Sequence, residues 1–238
     1  MPSRKLTMSI ATGVAALAVA GASYGIVSAS SGSSPSAATG ASTGGPGFGG
    51  SGSGGRAANA RSGPAAGGSA GTVSNVSAPG FTLTTATGQK VTVDDTSATT
   101  YQKGTSPASA SAVTAGQPVL VLGTTSGTAI TATQVIVQPA GSGSAAATAA
   151  KVVPFKRGAP ATSKQAGQIP ANYKQGSGTI VSGPAANKAT EAALAAYPGG
   201  VVDRVVKLSS GEYEVHNIGV SWPHHVFVSQ DFKVLGAD

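Results

Sequence analysis

The stretch GQPVLVLGTTSGTAITATQVIVQP, residues 116–139, decides the class of fold. Its two halves, VLVLG and ITATQVIVQ, are rich in Val, Ile and Thr, whose branched Cβ atoms suit an extended backbone. The Thr-Ser-Gly between them is turn chemistry, so the pair reads as two strands. Upstream the same texture repeats. TVSNVSA, FTLTT, QKVTVDD and TTYQ are short runs separated by Pro79-Gly80, by Ala86-Thr87-Gly88 and by a segment rich in Ser and Ala. Six strands with turns this close predict a small β-barrel or a sandwich over residues 72–139, with the barrel preferred and Phe81 in its core.

Composition divides the rest of the chain. Of its 238 residues, 44 are Leu, Ile, Val or Phe, a low share for a fully globular protein. Residues 72–138 and 179–238 hold 32 of them, whereas residues 30–71 hold only Phe48. Two small domains are therefore expected. Residues 30–71, built from Gly, Ser, Ala and Pro, read as a disordered linker. Residues 140–178 carry Lys151, Lys156, Arg157, Lys164 and Lys174 without one acid. They read as a basic linker, with Val152, Val153 and Phe155 available for one short docked strand.

The formal charge of +7 comes from such stretches and not from the two domains. Residues 72–138 balance Lys90 and Lys103 against Asp94 and Asp95, and residues 179–238 have more acids than bases. That excludes a folded nucleic-acid-binding face, which needs Lys and Arg clustered on one structured surface. A basic linker suits only weak contact with an anionic envelope surface. At the N-terminus, MPSRKLTMS precedes the apolar IATGVAALAVAGASYGIV and the small residues of VSAS. Residues 1–29 are thus expected to be a signal peptide or an N-terminal membrane anchor, which makes the remainder extracytoplasmic, secreted or anchored. The chain has no cysteine, which removes disulfides, thiol catalysis and thiolate zinc sites. Gly40 to Gly44 fits G-x-S-x-G but lacks the strand-to-helix context that gives this pattern a mechanism.

In the last sixty residues, Pro184 and Pro198-Gly199 bracket AANKATEAALAAY. Ala186, Ala189, Ala193 and Tyr197 share one face of the helix this predicts, with Thr190 and Leu194 at its margin. After it, VVDRVVKL, EYEVHNIG, HHVFVS and FKVLG read as an antiparallel meander, preceded by a short strand at GTIV. The fold class is mainly β with one α+β domain.

Two resemblances bear on function. ATEAALAAYPGGVVDRVVKLSSGEYEVH and HHVFVSQDFKVLG resemble a PepSY domain over residues 179–238, with GVSWPHH replacing the short Asp-Gly turn of many relatives. Residues 72–138 resemble an uncharacterised family of small exported OB-like β-domains. The PepSY resemblance implies a non-catalytic extracytoplasmic binding or regulatory protein. Its partner would be an unidentified extracytoplasmic protein, with a peptidase the class the resemblance suggests. The alternative is a structural cell-envelope protein tethered through basic linkers.

His216, His224 and His225 are the only histidines, and Trp222 beside them is the only tryptophan. A hairpin flanked by Gly219 and His224 sets Ile218 opposite His225 and His216 opposite Phe227. His216 and His225 then lie diagonally on one face with Glu214, and His224 on the other. Two imidazoles and a carboxylate could ligate a metal, but diagonal neighbours sit far apart, so metal binding through His216 and His225 is the weakest reading. The expected face is polar and open to solvent, with no cofactor and no catalytic residue. Glu212 and Glu214 lie on one side of one strand and not across a cleft. Candidate partner contacts are Ser221, Trp222 and His224, with Trp222 partly buried against the meander and the loop rim left for the partner.

Overall fold

The computed structural model describes residues 63–139 and 151–238. The expected signal or anchor segment, residues 30–62 of the first linker and residues 140–150 of the second lie outside the described residues.

The first half forms β1 (Ala65–Val76), β2 (Gly80–Thr85), β3 (Lys90–Asp94), β4 (Thr100–Lys103), β5 (Ser106–Ala108), β6 (Pro118–Ser126) and β7 (Ala129–Val137). β1 pairs with β2, β2 with β3, β6 with β1 and β6 with β7, all antiparallel. A parallel pairing of β3 with β7 closes a five-stranded barrel. Alternate residues fill it, among them Phe81, Leu83, Val91, Val93 and Ile130. Phe81 is in the core, as its sequence context predicts.

β1 begins inside the stretch expected to be linker. Its glycines permit close approach of backbones, which composition alone disguises as flexibility. A Cβ on Gly67 would overlap the carbonyl of Val202, and one on Gly68 the carbonyl of Val121. Between Gly68 and the rest of the strand, buried Ser69 donates its hydroxyl to the carbonyl of Gly200 at 2.9 Å.

The segment after residue 150 also departs from the linker reading. It contributes β8 (Val153–Pro154) and β9 (Ala166–Gly167), and is followed by β10 (Thr179–Val181), α1 (Pro184–Ala196), β11 (Val201–Lys207), β12 (Tyr213–Ile218), β13 (Val220–Trp222), β14 (His225–Val228) and β15 (Val234–Ala237). β11, β12, β14 and β15 pair in that order as an antiparallel meander, with β10 on the far edge of β11. α1 starts at Pro184, where a missing amide hydrogen costs nothing, and buries Ala186, Ala189, Thr190, Ala193 and Leu194. This is the face expected from the sequence.

The two halves are not separate domains. β1 pairs with β11 through Gly68 and Val202 and through Ser69 and Val201, so barrel and meander belong to one continuous sheet. β6 serves two cores: Val119 and Val121 point into the barrel, while Leu120 and Leu122 pack under α1 with Val202, Val205 and Val215. The physical reason is size. A domain of about sixty residues buries only a modest share of its surface by itself, and here Leu120 and Leu122 of the barrel wall complete the core under α1.

Residues 151–178 run over the outer face of the meander as a strap. β8 pairs with β13 and β9 with β15. Val152 is buried, and Ile169 and Tyr173 pack on Val206, Leu208 and Phe227. The short docked strand expected around Val152 and Val153 is present, with Phe155 outside it. Among the described residues no helix is long and apolar enough to cross a membrane.

One pH effect arises in the barrel half. Burial, helped by the hydrogen bond to Asp95 and by that carboxylate's charge, pushes the Tyr101 phenol up from 10.0 to about 12. A folded pKa above the unfolded one gives stability that is complete below pH 10.0 and lost as the pH rises through about 12. Tyr101→Phe should flatten that limb of the stability curve in denaturation measured across this range. An unchanged limb would assign it to other groups.

Candidate functional site

The site grows from an irregularity in β11. Its pairing with β12 passes from Val202 and Asn217 to Arg204 and His216, leaving Asp203 as an extra residue. Such a bulge interrupts alternation and re-aims side chains. Asp203 and Arg204, neighbours in sequence, consequently both reach His216. The Nδ1 hydrogen of His216 points to Asp203 Oδ1 at 2.5 Å. Arg204 Nη2 lies 3.1 and 3.3 Å from the two ring nitrogens. Its Nη1 is 3.6 Å from Asp203 Oδ2.

Across the meander, His216 stands directly opposite His225, and the rings lie 5.3 Å apart. This corrects the diagonal arrangement expected from the hairpin. Gly219, at φ 79°, turns the chain out of β12 and into β13, which pairs with β8, so the loop is wider and the register moves. His225 Nε2 is 3.4 Å from Glu214 Oε1. Glu214 is 0% exposed, whereas the sequence suggests a solvent-facing position. The strap makes the difference: the Tyr173 ring packs 4.7 Å from Phe227, the cross-strand partner of Glu214, and 6.0 Å from His225.

His224 is exposed and precedes β14, so it escapes the strand alternation that assigns it to the opposite face. The backbone amides of His224 and His225 both donate to the Asp238 carbonyl, at 2.8 and 2.9 Å. All three histidines meet Thr162, Gln175 and Asp238 around an open cleft of about 350 Å³. Of the other candidate contacts, Ser221 is half-buried and Trp222 is 2% exposed. Trp222 is deeper than expected, and strap residues cover it. Its Nε1 donates to the Lys164 carbonyl at 2.6 Å, Lys164 Nζ lies 4.4 Å from the ring centroid, and Tyr197 meets it edge-on at 5.4 Å. Burial raises the pKa of the Tyr197 phenol.

No family model, curated protein or solved structure matches the chain. The chemistry of the cleft must therefore be read from its own groups. His216 is committed to a carboxylate and a guanidinium, and His225 lies beside a buried carboxylate. Among the described residues no group of three or more His, Asp or Glu is placed to hold a metal ion. The arrangement offers imidazole, amide, hydroxyl and carboxylate groups to a polar ligand from a fixed wall.

The sequence offers Asp203, Asp231 and Asp238 as acids able to orient a histidine, and Asp203 takes that place on His216; Arg204, Thr162 and Gln175 do not stand out in the sequence. A signal for the bulge itself exists. In VVDRVV, two consecutive charged residues interrupt a run of valines that are all buried, in three separate cores, which is how a bulge looks in sequence. Thr162 and Gln175 lie in segments whose composition resembles a linker, and nothing local marks them.

Proposed function

We propose that the protein is a non-catalytic binding module acting outside the cytoplasmic membrane, with the histidine cleft as its contact face for a partner protein. The observation that carries this reading is the cleft: a concave polar surface on which His216 is already engaged by Asp203 and Arg204. Side chains held in this way are preorganised for contact, at little further entropic cost on binding. The helix followed by an antiparallel meander supports the PepSY-like reading of residues 179–238, and with it a secreted peptidase as the partner class. The closed five-stranded order supports the OB-like reading of the barrel. Trp222, being buried, acts as the post that fixes the rim, and His224 and Ser221 are the residues a partner can reach.

The test is photocrosslinking in the cells that make the protein, with a photoreactive residue at Ser221 and, as control, at exposed Lys90 on the barrel. A discrete product from Ser221 alone, competed away by excess wild-type protein, is expected. His224→Glu should weaken that capture at least about tenfold, as loss of a contact residue near the centre of an interface does. Mass spectrometry then decides whether the captured protein is a peptidase. Equal products from both positions, or none from Ser221, would remove the cleft as the contact face.

A further inference from the structure

A second surface lies at the start of the strap, on residues that do not line the cleft. Phe155 is 64% exposed, the most exposed large hydrophobic side chain among the described residues. Lys156 and Arg157 follow it and are also exposed. The three sit at a tight turn, closed by the Ala159 amide donating to the Lys156 carbonyl at 3.1 Å and allowed by Gly158 at φ 78°. The turn is held on both sides. Val152 is buried and Val153–Pro154 pairs with β13 before it, and the Lys164 carbonyl accepts from Trp222 after it. No acidic residue occurs from Lys151 to Lys164. An aromatic ring held out in water beside two cations is a costly arrangement for a solvated loop, and it matches the layered chemistry of a bilayer surface.

We propose that Phe155, Lys156 and Arg157 form a contact with an anionic lipid surface. The Phe155 ring enters at the boundary between headgroups and acyl chains, while Lys156 and Arg157 pair with the phosphates above it. Charge complementarity selects this occupant: the turn brings positive charge and an apolar wedge together in a segment that carries no acidic residue. The contact is weak by itself, because stable attachment needs a second signal. The apolar run of residues 9–29, where retained, supplies one. The proposal does not depend on the cleft reading.

The absence of cysteine lets one introduced thiol report on the turn alone. A full-length Ala159→Cys chain carrying an environment-sensitive fluorophore is mixed with phosphatidylcholine vesicles, with or without phosphatidylglycerol. With phosphatidylglycerol the emission should shift to the blue and be quenched by a bilayer-embedded quencher. Each cation near an anionic surface is worth roughly fivefold in partitioning, so Lys156→Gln with Arg157→Gln should reduce insertion roughly 25-fold. Phe155→Ala should abolish the spectral shift. Circular dichroism of each variant confirms that the fold is intact. Three outcomes overturn the proposal: an unchanged probe on chains that sediment with vesicles, an equal response without phosphatidylglycerol, or an equal response to soluble polyphosphate, which would assign the turn to an anionic polymer.

Discussion

Replacing Trp222 with alanine is expected to destabilise the protein by about 3–5 kcal/mol, the range for truncation of a large buried aromatic. The indole is where strap, loop and helix end meet, through the Lys164 carbonyl, the Lys164 ammonium and the Tyr197 ring. Its loss should also free the strap before the rest of the fold yields. Trypsin should then cut the variant faster at Lys164 and Lys174 than it cuts the wild type, and circular dichroism should record a lower melting temperature. Trp222→Phe, which keeps part of the packing but loses the hydrogen bond, should fall between the two. Unchanged stability with an unchanged cleavage pattern would mean that the strap is held elsewhere.

Leu122→Ala is the second large effect, about 2–5 kcal/mol for a leucine that is 2% exposed. Its side chain lies under α1 while its backbone is part of the barrel wall, so the lost packing should weaken both halves. A fluorine-labelled Phe81 reports on the barrel, and Trp222 fluorescence on the meander and strap. Both signals should move to lower denaturant by the same amount and continue to coincide. Two separated transitions, with only the Trp222 signal displaced, would show that the halves unfold independently.

Much of this architecture is legible in the sequence, and the exceptions share a cause. The alternation in FTLTT and KVTVD reports strands with one buried face, and the small-residue stripe of α1 reports which side packs. VLVL differs: Val119, Leu120, Val121 and Leu122 are all buried because each side of β6 meets a different core, and such a run has no period to reveal which partner lies on which side. AAGGSAG looks like a tether because the closeness of Val202 and Val121 demands glycine, the residue that also fills linkers. The strap is hidden for a related reason, since it docks through isolated residues such as Val152, Ile169 and Tyr173 among Pro, Gly and Lys. At the site, the histidines stand out by their rarity, but their mutual geometry depends on a bulge at Asp203 and on β13 leaving the hairpin. Both are tertiary choices. Glu214 becomes buried only because a distant segment crosses over it.

The bond from Ser69 to Gly200 spans 131 residues of chain. During synthesis the glycine-rich start of β1 emerges long before β11 exists to cover that side, and the late pairing makes folding intrinsically slow. For that interval the strand is an open edge of the kind that recruits foreign chains. AAGGSAG is poorly suited to recruitment, having no branched or aromatic side chain with which to build a dry zipper. The glycines that later admit the Val202 carbonyl therefore also keep the waiting edge from being taken by the wrong strand.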